Sequence, residues 1–173
     1  MIDFNIIIPS RYASTRLPGK PLIDVLGKTM LEHVWLNARK SQAQEVIIAT
    51  DDERIAIAAK NFGASVCMTS TEHQSGSERI TEVVDHMKWR DEQIVLNVQG
   101  DEPLMSHTVM NECASLLNDD SIDIGTLGSS FLNKEDWLNP NMVKVLVDHS
   151  ECALYFSRSS MPYPKENEAG IIE

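Results

Sequence analysis

A chain of 173 residues with 42% hydrophobic and 24% charged residues has the length and composition of a globular domain, not of a disordered segment or a repeat array. Its 26 acidic residues outnumber 15 basic ones, and the net charge of −11 repels phosphate backbones and anionic membranes over most of the surface, so neither nucleic acid nor membrane is expected as a partner. No apolar run approaches the roughly 18 residues of a membrane span, and Met1-Ile2-Asp3-Phe4 lacks a basic leader, so a cytoplasmic location is expected.

The first element is a strand through Ile6, Ile7 and Ile8, a β-branched run of the kind that is buried on both faces. Pro9 cannot donate to a ladder and should end it. The loop that follows interleaves the small residues Ser10, Ser14, Thr15 and Gly19 with Arg11, Arg16 and Lys20. Fixed cations beside free backbone amides suit a polyphosphate. Within residues 1–28, Arg11, Arg16, Lys20 and Lys28 face only Asp3 and Asp24, a positive island on an acidic protein that focuses an anionic ligand. It is not a Walker loop, because Pro21 follows Gly19-Lys20 where Ser or Thr would hold magnesium, and it carries no dinucleotide fingerprint.

Leu31, Val34, Trp35 and Ala38 recur at helical spacing and predict a helix over 30–40. A buried strand over 45–50 follows, then a helix capped by Asp51 or Asp52, striped by Ile55, Ala58, Ala59 and Phe62 and ended by Gly63. A short strand over 65–68 leads through His73-Gln74-Ser75-Gly76-Ser77-Glu78-Arg79 into a helix with Ile80, Val83, Val84 and Met87 on one side. The strand over 93–98 delivers Gln99-Gly100-Asp101-Glu102-Pro103 at its C-terminal end, the edge where open parallel sheets bind ligands. A helix over 107–117, a strand near 124–127 and two strands over 143–147 and 153–157 complete the series. The last two form a hairpin through Asp148, His149 and Ser150 that would make the sheet mixed. Alternating strands and helices predict a three-layer α/β domain over 1–160 with a largely parallel sheet, and 161–173 read as a tail.

Asp101, preceded by Gly100 for close approach, suits a magnesium ion shared with nucleotide phosphates; capping the next turn is the other role open to it. Ser75 or Ser77 caps the following helix, while Gly76 and Ser77 approach a nucleotide and Arg79 reaches its base or phosphates. Gln99 orients ribose or sugar hydroxyls, or else satisfies neighbouring backbone. Cys67, Cys113 and Cys152 lie far apart with no C-x-x-C pair and read as buried thiols.

PSRYASTRLPGKPL, HQSGSER, NVQGDEP, NPNMVKV and ALYFSR resemble, in order, motifs of the 3-deoxy-manno-octulosonate (Kdo) cytidylyltransferases, the CMP-Kdo synthetases. The resemblance implies the Rossmann-like nucleotide-diphospho-sugar-transferase fold. It implies transfer of CMP from CTP to the anomeric hydroxyl of Kdo with release of pyrophosphate, for lipopolysaccharide biosynthesis, with Mg2+ at Asp101 and a homodimer. Lys20, Arg16 and Asp101 would then be catalytic; Arg11, Ser14, Arg16, Lys20, Ser75, Gly76, Arg79 and Gln99 would hold the nucleotide, and Gln99 and Arg158 the sugar acid. Ser77 stands where the family usually has Thr, which keeps the hydroxyl. The family's second acidic metal ligand has no match, Asp148 being a turn residue, and family members usually continue past Glu173. Alternatives are a CTP-dependent transferase for amino-Kdo or sialic acid, a truncated nucleotide-binding protein without catalysis, and a regulatory glycosyltransferase relative.

Overall fold

The computed structural model describes residues 2–13 and 17–162. In chain order the elements are β1 (Phe4–Ser10), a 3-10 turn (Lys20–Leu22), β2 (Asp24–Val25), β3 (Lys28–Thr29), α1 (Met30–Ala38), β4 (Val46–Thr50), α2 (Glu53–Asn61), β5 (Ser65–Met68), α3 (Gly76–Met87), β6 (Ile94–Asn97), α4 (His107–Ser115), a second 3-10 turn (Leu116–Asn118), α5 (Lys134–Leu138), β7 (Lys144–Val147) and β8 (Ala153–Ser157). The chain divides into two compact units, 1–125 and 126–173, so the stretch read from sequence as one domain spans the first and most of the second.

The first unit is built on a four-stranded sheet in the order β5-β4-β1-β6, every pair parallel. The two central strands are the most continuously apolar. Ile6, Ile7, Ile8 and Ile48 are wholly buried, and each buried isoleucine contributes about 1.5–3 kcal/mol over an exposed one. Side-chain alternation divides the core in two. Phe4, Ile6, Ile8, Val46 and Ile48 meet Leu31, Val34 and Ala38 of α1, Ile55 and Ala59 of α2, and Met110 and Ala114 of α4. Ile7, Ile47 and Ala49 meet Val83 of α3, with Ile80 and Val84 half-buried beside it. Helices thus cover both faces in three layers.

From β1 the chain steps outward to β4 and β5, then crosses back to place β6 on the other side of β1. The order reverses between β1 and β6, and a crevice opens beyond their carboxyl ends at such a switch point. Ser10 with Arg11 ends one strand and Gln99-Gly100-Asp101 follows the other, so the fold brings the basic loop and the acidic motif to one place.

In the second unit β7 and β8 pair antiparallel, Lys144 opposite Ser157 and Leu146 opposite Tyr155. The expected hairpin is present. It forms a sheet of its own, which leaves the four-stranded sheet purely parallel instead of mixed. The strand expected near 124–127 is absent, and Ile124 is 85% exposed, so its apolar side chains find no sheet to enter. Lys144 is buried, its ammonium donating to the carbonyls of Asn139, Met142 and Arg158.

Candidate active site

At the switch point lies a cleft of about 390 Å³ lined by Pro9, Ser10, Arg11, Lys20, Gly76, Gln99, Gly100 and Asp101, among others. Lys20 opens the 3-10 turn. Gly19 before it adopts φ 73°, a left-handed conformation that glycine takes without strain, and Pro21 fixes the first turn after it. The turn aims the Lys20 ammonium at Asp101, Nζ to Oδ2 2.5 Å, across 81 residues of sequence. Both side chains are partly exposed, 35% and 46%, so the pair is worth about 1 kcal/mol at most and yields readily to a ligand carrying its own charges.

Gly100 is the residue that lets the two strand ends meet. A Cβ there would stand 2.4 Å from Ser10 Oγ and 3.2 Å from the Pro9 carbonyl oxygen. The Ser10 hydroxyl is buried without a hydrogen-bond partner among the described residues. The sequence reads Gly100 as room for a ligand; what its missing Cβ makes room for in the structure is Ser10 and the Pro9 carbonyl, a packing role not read from the sequence. The signal available was a hydroxyl at the last position of a buried strand.

Gly76 begins α3 and reaches the cleft beside Pro9. Ser75 Oγ accepts from the Glu78 amide at 3.2 Å, the N-cap bond, and Glu78 Oε2 accepts from the Gln74 amide at 2.7 Å, tying the residue before the cap to the first turn. The Gln74 amide holds the Glu78 carboxyl below its ordinary range, keeping it ionised at the helix start. Ser75 thus serves the helix, and the glycine after it presents backbone to the cleft. Gln99 is exposed at the cleft wall, its amide donating to Asn97 Oδ1 at 3.1 Å. Arg11 is exposed at the rim. Ser14 and Arg16, the loop's other expected contacts, lie outside the described residues.

Arg79 is a correction. Expected to reach a nucleotide, its side chain is 1% exposed, with Nη2 2.6 Å from Asp51 Oδ2 and Nη1 donating to Thr69 Oγ1. A buried guanidinium needs a carboxylate, and Asp51 at the end of β4 supplies it. Asp52, not Asp51, caps α2. Arg158 belongs to the second unit, where its Nη1 donates to the Pro140 carbonyl at 3.0 Å and, with Lys144, binds the 139–142 turn.

No group of three or more His, Cys, Asp and Glu side chains able to hold a metal occurs among the described residues. Asp101 offers one carboxylate at the cleft mouth. That donor set fits magnesium, which keeps several waters and takes other ligands from substrate phosphates. A second cavity, about 500 Å³, opens beside Val46 and Ser65 at the N-terminal ends of β4 and β5, away from the switch point.

The profile of the family described as Cytidylyltransferase matches residues 5–171. The chain is 47% identical to 3-deoxy-manno-octulosonate cytidylyltransferase 1 of Actinobacillus pleuropneumoniae serotype 5b (strain L20), over 97% of this chain and 67% of that one. It is 46% identical to 3-deoxy-manno-octulosonate cytidylyltransferase of Pasteurella multocida (strain Pm70), over 99% and 66%. A solved structure of CMP:2-keto-3-deoxy-manno-octonic acid synthetase complexed with CTP superposes with a TM-score of 0.82 at 37% identity, covering 98% of this chain and 69% of that one. The chain spans about two thirds of the length of the curated relatives it matches.

Proposed function

The chain belongs to the cytidylyltransferase family, and from that premise we propose that it transfers CMP from CTP to the anomeric hydroxyl of Kdo and releases pyrophosphate. The observation that carries this reading is the Lys20–Asp101 pair at the β1/β6 switch point, a cation and a carboxylate meeting in one cleft on an acidic protein. Lys20, Asp101, Arg11, Gly76 and Gly100, the residues assigned to this step, all lie in the first unit.

Nucleotidyl transfer loads charge onto the α-phosphate oxygens and the leaving pyrophosphate, so the protein's task is orientation and countercharge. The sugar hydroxyl oxygen bonds to the α-phosphorus, the bond to the β-phosphate oxygen breaks, and the hydroxyl proton is released. Lys20 moves from Asp101 to the triphosphate, where its ammonium acts as a point charge on phosphate oxygens, and Arg11 adds a guanidinium fork at the rim. Gly76 and Gly100 admit the ligand close to backbone amides. Asp101, freed from Lys20, would hold magnesium together with the phosphates, and the ion when bound supplies charge neutralisation and polarises the α-phosphate. The same reading puts the chain in the cytoplasm, in lipopolysaccharide biosynthesis, and in a homodimer, for which exposed Leu146, Leu154, Tyr155 and Phe156 of the hairpin are a candidate face.

Pyrophosphate release from CTP in the presence of Kdo tests the proposal. Lys20→Ala and Asp101→Asn should each lower turnover by more than about tenfold, the effect of losing roughly 1.4 kcal/mol of transition-state stabilisation, with the domain still folded. Wild-type turnover in both folded variants would refute the assigned roles.

A further inference from the structure

The geometry points to Tyr12 and Arg54 as positioning residues that lock the base of the basic loop and so hold Lys20 in the nucleotide site, an inference that rests on the function proposed above. Gly19, next to Lys20, donates its N–H to the Tyr12 carbonyl at 2.9 Å, which ties residue 19 to residue 12 at the base of the basic loop. The Tyr12 side chain packs against the same glycine, since a Cβ on Gly19 would lie 3.1 Å from its Cε2, Cζ and Oη atoms. The Tyr12 aromatic ring is gripped in turn by Arg54, whose Cζ stands 3.3 Å from the ring centroid, a cation–π contact.

Arg54 does not float there. Its Nε and Nη2 donate to the two carboxylate oxygens of Asp52 at 3.0 and 2.6 Å, a two-pronged grip, and Asp52 is the N-cap of α2. A continuous line of contacts thus runs from the start of α2 through Asp52, Arg54 and Tyr12 to Gly19, and the next residue is the lysine that reaches Asp101. The apolar core reaches this stretch through Tyr12, which packs half-buried against it, while Ala13 and Pro18 are exposed, so Tyr12 is where the loop is fixed. Without the latch the loop keeps its sequence and charge but loses the fixed point from which Lys20 is aimed, and that loss falls on phosphate contacts, not on contacts to the base or ribose.

Calorimetric titration of CTP and of cytidine into the full chain tests this. Tyr12→Leu and Arg54→Met should each weaken CTP binding by about five- to tenfold, the equivalent of roughly 1–1.4 kcal/mol, and leave cytidine binding unchanged. Tyr12→Phe, which keeps the ring, should restore CTP affinity. In a Lys20→Ala background Tyr12→Leu should have little further effect, because the group being aimed is gone. If the wild-type chain binds CTP but Tyr12→Leu binds it equally well, or Tyr12→Leu costs as much without Lys20 as with it, the latch is overturned and the function stands. If the wild-type chain does not bind CTP, the functional reading falls and the latch with it.

Discussion

Gly100 and Ser10 occupy each other's space, and the pair makes a residue-level prediction. Gly100→Ala would force a methyl against Ser10 Oγ and the Pro9 carbonyl, an overpacking cost of about 1–3 kcal/mol that should also displace Asp101. Ser10→Ala in the same chain removes the nearest obstacle and should recover part of the loss. Equal unfolding free energies for Gly100→Ala with and without Ser10→Ala would contradict the contact. A second prediction follows from Arg79. Asp51→Ala strands a buried cation and should destabilise by about 3 kcal/mol or more, whereas Arg79→Met leaves only a carboxylate near the surface and should cost less. Denaturant unfolding of both variants checks the order. Arg79 also shows where reading from sequence fails: a motif arginine at the mouth of a helix looks like a ligand contact until the fold brings Asp51 from 28 residues away.

Among elements, α3 ties its preceding loop through Glu82, which accepts from the Ser70 amide at 2.9 Å and meets His73 Nε2 at 2.5 Å. The Ser70 amide first, and His73 second, hold the Glu82 carboxyl below its ordinary value of 4.5. A depressed carboxyl contributes stability that is present above its unfolded pKa and is lost as pH falls through the folded one. Protection of the Ser70 amide from hydrogen exchange should therefore decline only as pH drops below 4.5, and Glu82→Gln should flatten the profile. Protection that stays constant into the acid range would count against the tie. The strands and helices that carry this scaffold were legible because they are long enough to show a period: IIIPS and VIIAT as buried runs, α1, α2 and α3 as stripes. The β2–β3 hairpin, two residues a side, and the five-residue α5 have no room for one and were missed. The apolar residues near Ile124 suggested a strand only because sequence does not say whether a partner is in reach.

At the scale of the whole molecule, charge and topology act together. A net charge of −11 would repel a triphosphate, and the fold answers by carrying the basic loop and the QGDEP motif to the one crevice where strand order reverses. The rule that ligands bind at such carboxyl edges made the neighbourhood of Asp101 legible. Its 2.5 Å contact with Lys20 was not, because nothing local links residues 81 apart. The most direct test is calorimetric titration of CTP, with and without magnesium, into the wild-type chain, Lys20→Ala and Asp101→Asn. Lys20→Ala should weaken CTP binding in both conditions, and Asp101→Asn should abolish only the gain that magnesium gives. Wild-type affinity in both variants with magnesium present would contradict a shared triphosphate site.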